Sequence, residues 1–278
     1  MPESPEVQAL AEFLDERAAG RVVASIDIAE FRIVKTRDRP PASLVDARVT
    51  GMRRFGKHIG MDTTAGWLMI GFGRNGWIRW SAAGDQPDVE SAPEVARIVL
   101  DDGAVMRLVD TGDFLAVTAS VVDSPSGVSG IAALGPDPLS SDFSRDDLEH
   151  ALGARRKQIK ALLQEQSSLA GIGNAYSDEI LHRARLSHAV HAVALDADAR
   201  DRLFHAVVDV LTAAVIDRRG LPPDRIKQAK VEAMVVHGRG GEACPVCGTT
   251  ILDHVSGSAS AQLCPHCQPE PAIGGSEP

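Results

Sequence analysis

The residues most able to do chemistry lie at the two ends of the chain. All four cysteines of the 278 residues fall near the carboxyl end, in two Cys-x-x-Cys pairs. These cysteines are Cys244, Cys247, Cys264 and Cys267. Two such pairs on tight turns place four thiolates around one metal ion, and in a chain without a signal sequence this favours metal over disulfides. The sequence therefore predicts one structural Zn²⁺ in a small ribbon, a module that serves nucleic-acid binding, protein binding or stability alone.

The amino terminus offers a different kind of chemistry. The chain begins Met1-Pro2-Glu3, and a small second residue normally leads to removal of Met1. A terminal amine has a pKa of about 7.7–8.0 against about 10.4 for lysine, so far more of it is neutral and nucleophilic near pH 7. Such an amine can attack a sugar carbon to form a Schiff base while Glu3 or Glu6 moves the protons. The alternative is that Pro2 only begins a helix.

A third candidate lies in the middle of the chain, in the run Gly171-Ile172-Gly173-Asn174. Two glycines close together, flanked by helical patterns, let main-chain amides approach an anion at a helix amino terminus. Asn174 could cap that helix or donate to a phosphate. The alternative is a helix hairpin with glycine caps.

Charge and composition set limits on partners. The net charge of −9 and pI of about 5.5 argue against nucleic acid, because phosphate binding normally needs a basic excess. The segment from Arg155 to Arg185 runs the other way, since its basic residues outnumber its acidic ones. No apolar run approaches the roughly 18 residues of a membrane helix, and no signal peptide is evident. We therefore expect a cytoplasmic protein, which would be associated with the nucleoid only if it binds DNA.

The elements that would position these groups fall into two halves. Apolar residues at helical spacing after Pro5 predict a helix that Gly20 ends. Strand-like segments follow, and Asp102-Gly103 is a strong hairpin signal. These segments are Val22–Phe31, Val45–Asp62, Trp67–Phe72, Trp77–Trp80, Ala96–Leu100 and Ala104–Val109. They predict an antiparallel sandwich or barrel. Helical patterns then run from Ser144 to Arg219, and Val231–Val236 is expected to be a strand.

Taken in order, the chain resembles the formamidopyrimidine-DNA glycosylase/endonuclease VIII family. The resemblance rests on Met-Pro-Glu-x-Pro-Glu at 1–6, Gly-Ile-Gly-Asn-x-Tyr-x-Asp-Glu at 171–179 and the two cysteine pairs. The segments 134–139 and 237–242 resemble the family's interdomain segment and the lead-in to its zinc finger. The resemblance implies an α+β protein in five parts: a catalytic β-sandwich domain (1–123), a linker (124–143), a helical domain with a helix–two-turns–helix motif (144–232), a zinc ribbon (233–268) and a disordered tail (269–278).

The family resemblance also implies an activity in base-excision repair. It implies a bifunctional DNA glycosylase/AP lyase that removes oxidised bases or cleaves abasic sites through a Schiff base on Pro2. Glu3 would be the acid/base and Glu6 the second carboxylate of the site. The DNA-binding residues it implies are Lys57, which also belongs to the catalytic set, Arg74, Phe114, Lys160, Asn174 and Tyr176. The expected partner is damaged DNA, either duplex or single-stranded and abasic, for a monomer with no membrane association and no small-molecule cofactor.

Three features depart from the family pattern. The arginine expected five residues before the third cysteine is Ala259. Of the residues that fill the gap left by a flipped base, only Phe114 matches, and Asp113 beside it would bring a carboxylate towards phosphates. The segment Gly220–Val231 is too short for the loop that covers an oxidised purine in some members. We therefore expect a weaker grip on duplex DNA and a preference for abasic or single-stranded DNA.

Two other readings stay open. The same fold could serve as a catalytically weak or inactive DNA- or lesion-binding paralogue, which the acidic net charge supports. A zinc-stabilised protein-interaction module would also explain the acidic surface, but it leaves Met-Pro-Glu and the glycine run as coincidence.

Overall fold

The computed structural model describes residues 1–85, 92–256 and 259–270, with the side chains of 256 and 259 excepted. The chain divides into two compact units. The first consists of Met1–Ala133 and Val215–Lys230, and the second of Leu134–Ala214 with the chain from Val231 onwards. Each unit has its own buried apolar core. None of the described helices is long and apolar enough to cross a membrane.

The first unit opens with helix α1, Ser4–Ala18, as the apolar spacing predicts. Its apolar face is buried, and Gly20 lies just beyond its end with a φ of +86°, in the left-handed region that glycine tolerates. The Asp15 carboxylate accepts a hydrogen bond of 2.7 Å from the main-chain N–H of Met52. This bond fixes the helix to the neighbouring strand.

Eight strands follow helix α1 in the first unit. They are β1 Val23–Ile28, β2 Val49–Phe55, β3 His58–Thr63, β4 Gly66–Gly71, β5 Gly76–Ser81, β6 Glu94–Leu100, β7 Val105–Asp110 and β8 Thr118–Val122. They form two four-stranded antiparallel sheets with the orders β1-β6-β7-β5 and β2-β3-β4-β8. The hairpin predicted at Asp102-Gly103 is confirmed between β6 and β7. The long segment Val45–Asp62 contains two strands, because Gly56 turns the chain with a φ of +55°.

The two sheets face each other across one apolar core. Met52 and Ile70 from one sheet, and Ile98 and Met106 from the other, line the same interior. Burial of each such side chain contributes about 1.5–3 kcal/mol. The predicted sandwich with an N-terminal helix is therefore confirmed.

Helix α7, Pro223–Ala233, corrects two sequence predictions. Val231–Val236 is not a strand: the helix runs to Ala233, and Pro223 begins it, because proline suits a first helical position and the residues after it favour helix. Residues Val215–Lys230 also pack with the first unit rather than with the helical domain predicted for 144–232. The contacts responsible include a hydrogen bond of 2.9 Å from the Trp77 indole N–H to the Pro223 carbonyl.

The second unit is helical. Its helices are α3 Arg145–Leu152, α4 Ile159–Leu163, α5 Asn174–Ala184 and most of α6 Ala197–Arg218. Ser144 caps α3 by accepting from the Asp147 main-chain N–H. The preceding segment, predicted to be a linker at 124–143, contains a short helix α2, Ser129–Ala132.

A two-stranded hairpin completes the second unit. Strand β9, Leu252–Ser256, pairs antiparallel with β10, Ala259–Leu263. The cysteines flank it, and Val236 and Ile251 form a small core with three of them, Cys244, Cys264 and Cys267. Sandwich, helices and ribbon together confirm the predicted α+β class. Within the predicted disordered tail, residues 271–278 lie outside the described residues.

Candidate functional site

The predicted catalytic residues of the amino terminus are buried at the start of helix α1. Pro2 is buried, and the side chains of Glu3 and Glu6 are 2 % and 0 % exposed. Glu3 has extended main-chain angles, and its N–H donates a 3.0 Å hydrogen bond to Glu6 Oε2. Glu6 therefore satisfies a donor at the helix start, the role of the third helical residue in a capping box.

Two cations face these carboxylates. Lys230 Nζ of helix α7 lies 3.0 Å from Glu6 Oε2 and 3.5 Å from Glu3 Oε1. Arg218 Nε lies 3.5 Å from Glu6 Oε1, and both of those side chains are almost fully buried. Burial alone would lower the pKa of Lys230, but Glu6 and Glu3 together raise it above the ordinary lysine value. Buried charged groups are tolerated when they are paired with opposite charges in this way.

The terminal amine lies beside this cluster. Lys230 Nζ donates a 3.3 Å hydrogen bond to the Met1 carbonyl, the group joined to the Pro2 nitrogen. The pKa of the Met1 amine is lowered by burial and by Lys230, while Glu3 acts in the opposite direction. With Met1 attached, the Pro2 nitrogen is an amide. Its chemistry therefore requires that Met1 be removed.

Two further lysines lie in the first unit near these groups. Lys57 occupies the β2–β3 turn, and burial lowers its pKa, with Glu3 raising it and Lys230 lowering it. Lys227, one turn before Lys230 on helix α7, has a pKa lowered to about 8 by burial. Its ammonium lies 3.3 Å and 3.4 Å from the carbonyl oxygens of Asn75 and Gly76.

The predicted gap-filling residues lie on two loops at one end of the β5–β7 pair. Arg74 is exposed on the loop before Gly76, and Phe114 is 87 % exposed on the loop after Asp110. Gly76 pairs with Asp110 in the sheet, so the two loops begin side by side. The Asp110 carboxylate accepts from two main-chain N–H groups of its loop, which holds the exposed Asp113 and Phe114 outside the sandwich.

The central glycine run precedes helix α5 in the second unit. Gly173 is the N-cap and Asn174 is the first helical residue, so Asn174 does not occupy the predicted capping position. Its side-chain oxygen accepts from Gln164 at 3.1 Å, and its NH₂ donates to Ser260 of strand β10 at 3.2 Å. The Gln166 amide bonds to Gly171 N and Ile172 O and thereby fixes the loop.

Lys160 and Tyr176, both predicted to bind DNA, lie inside the second unit. The Lys160 ammonium pairs with Asp178, and the Tyr176 side chain belongs to the apolar core. Asp178 also contacts His237 Nδ1 at 2.8 Å. Glu179 accepts three main-chain hydrogen bonds of 2.8–3.0 Å, from residues 235, 236 and 237. The carboxylates of the motif therefore hold the chain that leads into the cysteine pairs.

The four cysteines fit a zinc ion. Their sulfurs lie within 4.8 Å of one another, and the Sγ–Sγ distances include 3.4 Å (Cys247–Cys264), 3.6 Å (Cys247–Cys267) and 4.0 Å (Cys244–Cys267). A tetrahedron with Zn–S bonds of about 2.3 Å requires Sγ–Sγ distances of about 3.8 Å, whereas a disulfide requires about 2.05 Å. Three of the sulfurs are buried, as a closed structural site requires. The ribbon thus holds one structural zinc. The sequence predicts that Ala259 replaces an arginine of the family pattern. The Ala259 side chain lies outside the described residues.

Comparisons with known proteins define the class of the chain. The model of the formamidopyrimidine-DNA glycosylase N-terminal domain matches residues 1–117, that of the formamidopyrimidine-DNA glycosylase H2TH domain matches 134–222, and that of the zinc finger found in FPG and IleRS matches 241–269. The chain belongs to the formamidopyrimidine-DNA glycosylase family, and its class is that of a DNA-repair N-glycosylase.

Individual relatives cover almost the whole chain. Formamidopyrimidine-DNA glycosylase of Parafrankia sp. is 33 % identical over 98 % of this chain and 99 % of its own length. That of Mycolicibacterium smegmatis is 30 % identical over 98 % of this chain and 99 % of its own length. A Lactococcus lactis Fpg structure with DNA containing an abasic site superposes with a TM-score of 0.85 at 23 % identity, covering 96 % of this chain and 100 % of the other. This last likeness shows the shared fold.

Sequence reasoning missed the cations of the amino-terminal cluster. Arg218, Lys227 and Lys230 carry no recognisable motif. The spacing of Lys227 and Lys230, three residues apart, places both on one helix face, but only if the segment is first recognised as a helix.

Proposed function

We propose that the chain is a bifunctional DNA glycosylase and AP lyase whose nucleophile is the amine of Pro2. One observation carries this proposal: the buried carboxylate of Glu3 and the largely buried ammonium of Lys230 flank the start of the chain, with Lys230 3.3 Å from the carbonyl attached to the Pro2 nitrogen. Such a setting supplies an amine with a proton carrier and disfavours its protonated form.

The chemistry begins once Met1 is removed. The neutral Pro2 nitrogen attacks C1′ of the damaged nucleotide, and the bond from C1′ to the base breaks; the base leaves with the proton that the nitrogen gives up, which restores the nitrogen lone pair. Protonation of O4′ opens the sugar ring while the nitrogen lone pair forms an iminium at C1′. Loss of a C2′ proton then expels the 3′ phosphate and nicks the strand, and water releases the product and restores the amine. Glu3 gives the proton to O4′ and accepts the one from C2′.

Glu6 acts differently from Glu3 in this proposal. It accepts the Glu3 N–H at 3.0 Å and faces both Arg218 and Lys230, so it fixes the position of Glu3. Lys57, on the turn of a hairpin and half-buried, binds a phosphate next to the reacting sugar.

The proposed partner is damaged DNA. Solved structures of Lactococcus lactis Fpg contain DNA with an abasic site or with Fapy-dG, and we extend that class of ligand to this chain. Phe114, exposed on its loop with Arg74 on the neighbouring one, fills the gap left by a flipped nucleotide. Asn174 contacts a phosphate at the helix start, while the buried Lys160 and Tyr176 support that loop.

The exposed Asp113 supports a preference for abasic or single-stranded DNA over duplex DNA. A carboxylate next to the inserted Phe114 repels phosphates and loses its own hydration inside a duplex. Asp113→Ser should therefore raise activity on a lesion in duplex DNA several-fold and leave activity on a single-stranded abasic site unchanged. Equal effects on the two substrates would argue against this preference.

The test of the activity is reduction of the Schiff base. Abasic DNA is incubated with the protein and borohydride, using three forms: the processed chain, an N-terminally extended chain and Pro2→Gly. We expect a covalent adduct with the processed chain and none with the extended chain, because the extension converts the Pro2 amine into an amide. Thermal melting of all three forms verifies folding.

The competing function is a DNA- or lesion-binding paralogue without catalysis; the net charge of −9 and Asp113 are compatible with it because both weaken the grip on DNA that turnover requires. Absence of an adduct at high concentration of processed, folded protein, together with binding to abasic DNA, would establish that function instead.

A further inference from the structure

Helix α7 places one ammonium among three groups of the amino-terminal segment. Lys230 Nζ lies 3.3 Å from the Met1 carbonyl oxygen, 3.5 Å from Glu3 Oε1 and 3.0 Å from Glu6 Oε2. Its side chain is 12 % exposed. No motif and no family model noted above assigns this residue a role, since residue 230 lies between the matched segments 134–222 and 241–269.

The distance from this ammonium to the reacting nitrogen follows from covalent geometry. A carbonyl oxygen lies within about 2.6 Å, along the bonds, of the nitrogen that follows it. Lys230 Nζ is therefore within about 6 Å of the Pro2 nitrogen. At that separation in a buried place, a positive charge disfavours a second positive charge strongly.

Helix α7 is held firmly enough to keep the ammonium there. Its first residue, Pro223, accepts from the Trp77 indole N–H at 2.9 Å, and Ile226 is fully buried in the sandwich core. Lys227 donates to the carbonyls of Asn75, just before β5, and of Gly76, the first residue of β5. The position of Lys230 is thus set by the sandwich and not by the carboxylates alone.

We propose that Lys230 is a positioning residue of the catalytic site, which fixes the amino-terminal segment against Glu3 and Glu6 and disfavours protonation of the Pro2 amine. The role deepens the function proposed above and rests on it. Lys230 itself forms no bond to DNA in this scheme; it acts on the nucleophile and on the two carboxylates. The direction agrees with the lowered pKa of the unprocessed Met1 amine, to which burial and then Lys230 contribute.

The charged groups around the amine, Lys230 included, come from four elements. They are Glu3 and Glu6 of α1, Lys57 of the β2–β3 turn, Arg218 of α6, and Lys227 and Lys230 of α7. Removing the Lys230 charge leaves both carboxylates in place, so their attraction for a protonated amine becomes stronger relative to the remaining cations.

The matched control is on the same helix. Arg225 is exposed, lies five residues before Lys230 on helix α7, and carries the same charge. The variants are Lys230→Met and Lys230→Gln, which remove the charge with side chains of similar reach, Lys230→Arg, which retains it, and Arg225→Met.

The experiment measures the amine directly and without DNA. The zinc-loaded, Met1-processed protein is acetylated with a limiting small reagent at a series of pH values, and peptide mass spectrometry follows the modification of Pro2. We expect the pH midpoint of Pro2 acetylation to rise by about one pH unit or more in the two neutral variants. The arginine variant and Arg225→Met should stay within a few tenths of a unit of the parent.

Midpoints that are equal in the parent and in both neutral variants overturn the proposal, as does a downward shift. The glutamine variant can still donate to Glu6, so it serves if the methionine variant does not fold. Borohydride reduction in the presence of abasic DNA then distinguishes a failure of the Lys230 role from a failure of the proposed function. A parent that forms an adduct but shows no shift on Lys230 substitution rejects the role of Lys230 alone, whereas a parent without an adduct rejects the proposed function.

Discussion

Two pairs of buried carboxylates lie in the two units of this molecule, and their surroundings differ. Glu3 and Glu6 at the start of helix α1 face the side-chain cations Lys230 and, for Glu6, Arg218. Glu179 in helix α5 accepts three main-chain N–H groups, while its neighbour Asp178 is bound to Lys160 and His237. Main-chain N–H donors are fixed in position by the fold. A side-chain ammonium group, by contrast, can shift when a neighbouring carboxylate gains or loses a proton.

We propose that this difference separates Glu3, a carboxylate placed for chemistry, from Glu179, a carboxylate that supports structure. Burial raises the pKa of Glu179, and its main-chain hydrogen bonds act against that rise. The hydrogen bonds tie the segment 235–237 to helix α5 just before the cysteine pairs. Proximity to a conspicuous motif is therefore a poor guide to chemistry: Asp178 and Glu179 stand in the glycine motif but hold the ribbon in place.

Loss of zinc is the largest expected effect, and it sharpens the structural side of the comparison. Structural zinc contributes roughly 10–16 kcal/mol of apparent folding energy in small zinc modules. Cys264→Ala should lose the metal and unfold the ribbon, so that melting occurs at a much lower temperature. Metal analysis and thermal melting measure this, with the parent before and after chelation and zinc return as the control. Full zinc content or an unchanged melting temperature in the variant would contradict the assignment.

Substitution of Glu3 tests the chemical side. Glu3→Gln should slow strand nicking about 10²–10⁴-fold, because an amide cannot exchange protons with the sugar. The Schiff base at an abasic site should still form, since an abasic sugar also exists as the open-chain aldehyde, which Pro2 can attack without protonation of O4′ by Glu3. Gel assays of nicking and of borohydride trapping measure the two steps. Equal losses in both assays, in a variant that melts like the parent, would mean that Glu3 only positions the amine.

Glutamine substitution of Glu179 in the second unit should lower stability and leave the chemistry unchanged. Glu179→Gln presents an NH₂ group to main-chain donors, and each unsatisfied group costs about 1–3 kcal/mol. We expect a lower free energy of unfolding from denaturant titration. The rate of Schiff-base formation per folded molecule should change little. A variant with parental stability and impaired trapping would place chemistry at Glu179 and break the comparison.

The smallest predicted effect concerns Lys227. Its pKa in the folded state is about 8, below the 10.5 of an unfolded chain, so the folded state binds fewer protons between these values. The stability of the parent should therefore rise with pH from 8 to 10.5. Relative to Lys227→Met, we expect a gain of about 1–2 kcal/mol, discounted because the side chain is partly exposed. Denaturant midpoints at pH 7 and 10.5 measure it. If the stability of the parent relative to Lys227→Met stays constant or falls as the pH rises, the prediction is wrong.

Much of the fold follows from local pattern. Apolar spacing in α1, the turn at Asp102-Gly103 and the two cysteine pairs each predict an element that the structure contains. Such signals are local, since each depends on residues close together in the chain. Strand β8, Thr118–Val122, has no flanking signal of this strength and was not predicted.

The surroundings of the candidate site could not be predicted in the same way. Glu3 and Lys230 are separated by most of the chain, and the ion pair between them depends on where helix α7 packs. The valines of Val231–Val236 suggest a strand, but Pro223 and the helix-favouring residues that follow it extend a helix to Ala233. The role of Pro2 itself, by contrast, is predicted from residue type and from the family resemblance, and it stays a prediction.

The central claim is that the Pro2 amine forms the covalent bond to DNA. The most direct measurement is peptide mass spectrometry of the borohydride-reduced adduct between processed protein and an abasic oligonucleotide. We predict a nucleotide remnant on the peptide that begins with Pro2, located on its nitrogen. A remnant on Lys57, Lys227 or Lys230 instead, with Pro2 unmodified, would contradict the claim.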